Sequence, residues 1–284
     1  MKYLFFSFLM VVAIDFTSGQ LQVPQPSPSS TFKQIIGLTE VTVNYSRPSI
    51  RGRVIYGDLV PYDKLWRTGA NQNTTISFSD DVVFGGIEVP KGSYAIYTKP
   101  RKEKWKVILY NKTDNWGLPN SWNDDLVVAE VDAPLVDLEP SLETFLIGVD
   151  ELHNNGGSLF LAWDDIVASV SIEVPTTEKA ISSIEQAMNE SPTGHDYYQA
   201  ASYYQQEGLD AEKALAWIDR AIQENAERYW YHRPRALILA NLGRYREAID
   251  AAQSSLKFAE AAGNTDYVRL NEKSIENWST KLEN

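Results

Sequence analysis

Residues 45–71, YSRPSIRGRVIYGDLVPYDKLWRTGAN, concentrate four arginines, one lysine, one tryptophan and three tyrosines in a chain that is otherwise acidic. An arginine carries a planar fork that donates two parallel hydrogen bonds to a carboxylate or phosphate. An indole or phenol ring beside it offers a stacking face to a sugar or a cation. Arg47, Arg53, Trp66, Arg67 and Asn71 are therefore the candidate ligand-binding residues. The same residues have a structural reading. Arginines leaving one strand often clamp carboxylates of a neighbour, and residues 113–178 hold many carboxylates but no lysine or arginine. Both readings stand at this point. The stretch predicts that Arg47, Arg67 and Trp66 meet at one end of a β domain with Asn71 beside them. Asp58 and Asp63 are expected to neutralise part of the positive charge.

Other chemistry is sparse. The acidic pairs Asp124–Asp125 and Asp164–Asp165 offer carboxylates to calcium or to a sugar, but acidic pairs at strand ends are more often solvated turn residues. Paired carboxylates serve glycoside hydrolysis only at a set separation. The three histidines, His153, His195 and His232, have no metal-ligand spacing, and no H-E-x-x-H occurs. There is no G-x-S-x-G elbow and no phosphate-cradling glycine loop. The reading is therefore no catalytic set, no metal and no cofactor.

The chain begins with Lys2, an apolar run over residues 4–14, and Thr17, Ser18 and Gly19. That run is shorter than the roughly 20 residues a membrane span needs, so it reads as a signal peptide, residues 1–19, cleaved near Gln20. Export to the periplasm or beyond is the expectation, with no membrane span in the mature chain. Cysteine is absent, which rules out disulfides, cysteine–zinc sites and lipid attachment through cysteine. The formal net charge is −12, and an acidic surface repels phosphodiester backbones, so nucleic acid is not an expected partner.

The elements that must position these residues fall in two halves. Residues 20–31 are rich in proline and serine and read as a flexible leader. Over residues 32–174 the apolar period is two: EVTVNYS, TTISFS, SYAIYT, KWKVILY, LVVAEV, ETFLIGV, SLFLAW and VASVSIEV each have strand length and strand composition. Gly85–Gly86, Pro90–Gly92 and Gly156–Gly157 supply turns. Short connections between many strands predict an antiparallel sandwich or barrel. Over residues 175–284 the period becomes helical. The fold class is thus α+β in two domains, a β domain followed by helices. Gly208 and Gly243 lie 35 residues apart, close to the ~34-residue period of tetratricopeptide repeats. Tyr197, Ala201, Tyr204, Gly208, Ala214 and Ala221, then Gly243, Tyr245 and Ala248, resemble that family's small and aromatic positions. The last helix, residues 265–282, would cap the stack.

The β half carries a second resemblance. YSRPSIRGR, LVPYDKLWRTGAN, VPKGSYAIYT and the strand LFLAW resemble the domain-of-unknown-function family 2911 of exported bacterial proteins, over residues 32–174. The resemblance implies a β fold, an exported location and tetratricopeptide-like helices behind the domain. It implies no activity and no catalytic residue. Asp63 stands where that pattern leads one to expect glycine. Three classes of function follow. The chain is a binding protein whose β domain holds a small anion, a glycan or a peptide, and whose helices hold a protein. Or it is a scaffold in which the arginines only lock the sheet. The alternative is a periplasmic enzyme acting on glycans or phosphate esters.

Overall fold

The structure is a computed structural model that describes residues 23–283, so the signal peptide reading lies outside the described residues. The chain divides into two compact units at Pro175 and Thr176. Among the described residues the first unit carries nine strands: β1 (Ser29–Ile36), β2 (Thr39–Ser46), β3 (Thr74–Phe78), β4 (Val82–Phe84), β5 (Ile87–Val89), β6 (Gly92–Lys99), β7 (Lys104–Tyr110), β8 (Val127–His153) and β9 (Gly156–Glu173). They pair antiparallel in one sheet of order β1-β2-β3-β6-β7-β8-β9-β4-β5.

The long strands β8 and β9 each absorb two of the runs read separately from sequence. The first part of β8 pairs with β7 from Val127 to Pro134, and the rest pairs with β9. The register shifts between Asp137 and Leu142 and again between Leu142 and Leu146. Such bulges bend a strand without ending it, so one strand serves both halves of the sheet. The chain just past β2 then reaches the far part of β8. Ile50 N donates to Glu143 O at 2.8 Å and Phe145 N to Pro48 O at 2.9 Å. The sheet therefore rolls toward closure around one main core, which includes Val41, Val43, Ile76, Ile96, Trp105, Phe145, Leu161 and Trp163.

The strands β6 and β7 are buried on both faces. Tyr94 and Ile96 enter the main core. Ala95, Tyr97, Ile108 and Tyr110 form a second cluster on the outer face, covered by Leu65, Trp122 and Leu126. Period-two alternation explains the split, since successive side chains leave opposite faces. The covering segment, residues 111–126, holds on through aromatic contacts. The Trp122 ring lies 4.5 Å from Tyr110 and 5.6 Å from Tyr97.

The leader is part of the fold from Pro26 onward. Its carbonyls accept hydrogen bonds from the stretch at residues 47–71: Pro26 O from Arg51 Nη2, Ser27 O from Asn71 Nδ2 and Pro28 O from Arg47 N. Strand β1 accordingly starts at Ser29, ahead of the expected Phe32, in register with Ser46.

The second unit has six helices: α1 (Thr176–Asn189), α2 (Gly194–Gln206), α3 (Ala211–Glu224), α4 (Tyr229–Asn241), α5 (Tyr245–Ala261) and α6 (Thr265–Glu283). From α2 on, each packs on the next. Ala201, Ala214, Ala221, Ala236, Ala248 and Ala252 are fully buried between them, where small side chains let helices approach closely. Tyr204, Tyr231 and Trp278 fill the space left over. A capping box at Thr193 and Asp196 starts α2, satisfying N–H groups that a helix start leaves unpaired. Among the described residues, no helix is long and apolar enough to cross a membrane.

Candidate functional site

The stretch at residues 47–73 links β2 to β3 and crosses the open end of the rolled sheet. Ser49 bridges to Thr144 of β8, and Trp66 bridges to Thr98 of β6. Ile55 and Val60 drop into the main core. The backbone is unusual: Arg51, Asp63, Thr68 and Asn71 all have positive φ. Asp63, at φ 60°, adopts the left-handed conformation that glycine would take most easily, and aspartate is one of the few other residues that tolerates it. Its side chain accepts from Arg101 Nε at 2.8 Å, so its charge is spent outside the stretch, contrary to the expected local neutralisation. Gly69, at φ 147°, cannot be replaced without strain, because a Cβ there would lie 2.9 Å from Ser46 O.

The five candidate residues divide into three groups. Arg47 and Trp66 converge on Phe145. Arg47 Nε donates to Phe145 O at 2.8 Å, and the Trp66 ring lies 5.2 Å from the Phe145 ring. Trp66 also stacks on Trp163 at 5.8 Å and meets Trp105 edge-on at 6.1 Å. It is a core contact in an aromatic cluster. Arg67 and Asn71 form the second group. Arg67 Nη1 donates to Asn71 O at 3.0 Å, and Asn71 Nδ2 donates to Ser46 Oγ at 3.3 Å. Arg53 stands apart, donating to Ser49 O and Ile50 O of its own turn. The hydrogen bonds of Arg47, Arg53 and Arg67 thus run to backbone carbonyls, not to carboxylates. A carbonyl is a dipole and leaves the positive charge uncancelled, yet it fixes the guanidinium as a brace.

Beside this loop lies a polar groove of about 370 Å³. Its floor follows from strand register. Thr31 pairs with Asn44 across β1 and β2, and Asn44 pairs with Thr75 across β2 and β3. Directly opposed residues point to the same face of a sheet, so the three side chains form a row. Thr31 Oγ1 donates to Asn44 Oδ1 at 2.6 Å. The groove is further lined by Ser29, Ser30, Tyr45, Ser46, Gln72 and Asn73 and by a wall of Thr113, Asp114 and Asn115.

The wall at residues 113–115 is held from several directions. Two carbonyls, Thr113 O and Asn115 O, face one end of the buried Asn73 amide at 3.1 and 2.6 Å. That end must carry the nitrogen, since only a donor is stable there. Asn115 Nδ2 donates to the Tyr97 hydroxyl at 3.1 Å. Burial pushes the Tyr97 phenol above its usual range, so it stays protonated. Behind the wall, the Arg67 guanidinium covers Gly117, where a Cβ would lie 3.0 Å from Nη1. The next residue along the wall from Asn115 is Trp116, which is 71% exposed.

None of the five candidate residues lines this groove. Arg67 and Asn71 support its wall and floor from behind. Besides Ser29, Ser30, Thr31, Asn44, Tyr45 and Ser46, the lining takes Gln72, Asn73 and Thr75 from the run NQNTT and Thr113, Asp114 and Asn115 from the run NKTDN, two runs dense in amides and hydroxyls. That density was the available signal, and it reads equally well as turn composition.

The acidic pair Asp164–Asp165 lies elsewhere, at the bulge where β8 meets β9. Burial, then the charges of Asp165 and Glu143, raise the Asp164 carboxyl above its ordinary value. Tyr56 donates to Trp163 O at 3.2 Å, and burial followed by the two aspartates pushes its phenol far up. Among the described residues, no group of three or more histidine, aspartate or glutamate side chains is arranged to hold a metal ion.

No curated protein and no solved structure matches the chain. One family matches over residues 27–172, which takes in every strand except the last residue of β9 and all of the groove. The chain belongs to that family, described as a protein of unknown function and designated DUF2911.

Proposed function

We propose that this is an exported, non-catalytic binding protein whose β unit takes a small polar ligand in the groove formed by Thr31, Asn44 and Thr75. The groove is the observation that carries this reading. A concave site lined by converging donors and acceptors is the usual form of a small-ligand pocket, and its volume lies near the lower end of the ~300–1,000 Å³ range of such sites. The scaffold reading loses ground because the arginine stretch braces a wall that encloses space. The hydrolytic alternative needs two facing carboxylates, and among the described residues Asp114 is the single carboxylate in the lining.

Export rests on Lys2, the short apolar run and the small residues before Gln20. The helical unit is read as a tetratricopeptide-like stack that takes a protein segment. Support comes from the successive packing of α2 to α6 and from the glycine turns at Gly208 and Gly243, both with positive φ. Stacked helix pairs of that kind present an extended concave surface.

The groove reading is tested with Thr75→Arg in the full chain. Thr75 is half-buried at one end of the floor row, so the longer side chain fills the groove. Thermal shifts are recorded for both proteins against neutral sugars, sugar phosphates, dicarboxylates and short peptides. A ligand that raises the melting temperature of the natural chain and leaves Thr75→Arg unmoved supports the reading. Equal shifts in both proteins, or no shift with any class, would sink it.

A further inference from the structure

We infer that the groove recognises a neutral carbohydrate, with Trp116 as the stacking platform for a sugar ring. The inference rests on the groove being the ligand site and names the ligand it takes.

Charge is the first argument. Among the described residues the lining contains no lysine, arginine or histidine, and Asp114 is its one carboxylic side chain. A phosphate or carboxylate placed there would meet a like charge and no counter-charge. The Arg67 guanidinium, which packs against the loop at Gly117, donates to Asn71 O and does not line the groove. Simple cations are disfavoured too, because a single carboxylate is a poor ligand set for a hard ion.

Hydrogen-bond capacity is the second. Thr31, Asn44, Gln72, Thr75 and Thr113 offer hydroxyls and amides, groups that both donate and accept. Sugar hydroxyls do the same, so such a surface matches them in kind. Asn44 already accepts from Thr31 through its oxygen, which leaves the amide nitrogen as a donor. Asp114 supplies a strong acceptor for a pair of adjacent hydroxyls. The volume suits a ligand of about one or two sugar rings.

The third argument is Trp116. An indole at 71% exposure on a loop leaves a large apolar face in water. A sugar ring has one face of C–H groups and an edge of hydroxyls. Stacking that face on the indole buries apolar area on both partners and leaves the hydroxyls for Asp114, Asn115 and the floor. Trp116 follows directly on the lining residue Asn115, and the loop that carries both is braced by Asn73, Tyr97 and Arg67 before any ligand arrives. Preorganisation of this kind reduces the entropy lost on binding.

The test uses calorimetry on the full chain with maltotetraose, cellotetraose, chitotetraose and mannotetraose as neutral probes. Glucose-6-phosphate, trigalacturonate and a tetrapeptide serve as comparisons. At least one neutral oligosaccharide is expected to bind with millimolar affinity or better. That affinity should stay within twofold between 20 mM and about 500 mM salt, since a neutral ligand has no charge to screen. Trp116→Ala should weaken it at least tenfold with an unchanged melting temperature, and Trp116→Phe should recover part of the loss. A charged sugar or peptide that binds and is blocked by Thr75→Arg, with no neutral probe binding, overturns the carbohydrate inference and leaves the groove reading intact. Neutral-sugar binding that is indifferent to both Trp116→Ala and Thr75→Arg overturns both. No binding by any neutral probe overturns the carbohydrate inference.

Discussion

At the scale of single residues, Arg67 decides how the arginine stretch is understood. A guanidinium that leaves a buried carboxylate stranded when removed costs roughly 3–5 kcal/mol. An exposed, unpaired arginine costs well under ~1 kcal/mol. Arg67 is neither. It is half-buried, donates to one carbonyl and lies flat over Gly117. Loss of one charge-assisted hydrogen bond and of the packing of its stem should cost about 1–2 kcal/mol in Arg67→Ala. Chemical denaturation of the β unit checks the figure, and a loss beyond ~3 kcal/mol would mean that a hidden carboxylate partner exists. Ligand affinity should fall as well, since the wall at residues 113–117 loses its brace. Residue types alone identified arginine as a candidate ligand donor. They did not reveal that the guanidinium would donate to the backbone carbonyl of Asn71, a residue whose left-handed backbone no residue-type rule announces.

At the scale of elements, the bulge between β8 and β9 stores an electrostatic cost. Asp164 adopts φ 55° there, opposite Leu142, with Asp165 and Glu143 close by. Its folded pKa is raised above the ordinary 3.8. Between pH 3.8 and that raised value the native state therefore holds a proton that the unfolded chain has released. The ionised form penalises the fold at neutral pH, and the penalty is relieved as pH falls through the raised value. Asp164→Asn keeps the shape, tolerates the left-handed backbone and stays neutral. Its melting temperature should exceed that of the natural chain by about 1–3 °C at pH 7, and the difference should vanish near pH 3.8. A difference that persists at low pH would assign the gain to something other than charge. The strands themselves were largely legible: EVTVNYS, TTISF, SYAIYT and KWKVILY became β2, β3, β6 and β7, with the alternating sets Val41, Val43, Tyr45 and Trp105, Val107, Leu109 turned inward. Their two-face burial in β6 was not, since a covering loop such as residues 111–126 has no period of its own. Nor was the fusion of two runs into β8 or into β9. A bulge skips a residue in the ladder, so it interrupts the alternation in the same way that a turn would.

At the scale of the whole molecule, the division at Pro175 has a direct consequence for proteolysis. Each unit owns a separate core, one built on β strands and one on helices. Limited digestion should yield a β fragment ending near Val174 and a helical fragment, both folded by circular dichroism when produced alone. If both fragments were unfolded in isolation, the two units would be one cooperative structure. The groove lies within the first unit, so the β fragment alone should retain the ligand. The candidate site was only half legible at this scale. Its supports, Arg67 and Asn71, stood out by type. Its lining did not, because residues 71–75 and 111–115 meet only once the register of β2, β3 and β6 has been set.

The double membership of β8 also bears on how the chain is made. Synthesis delivers β1 to β7 first, but their arrangement cannot be completed from within. Val83 and Phe84 have no partner on one side until Glu173 and Ile172 arrive, and Ser49 waits for Thr144. At ordinary ribosomal rates that interval is on the order of ten seconds. Throughout it the nascent chain presents open strand edges and an unroofed apolar interior, the features that invite aggregation. Truncated products ending before β9 should therefore be the ones a holding chaperone captures and the full chain the one it releases, an outcome that co-precipitation of the two products checks.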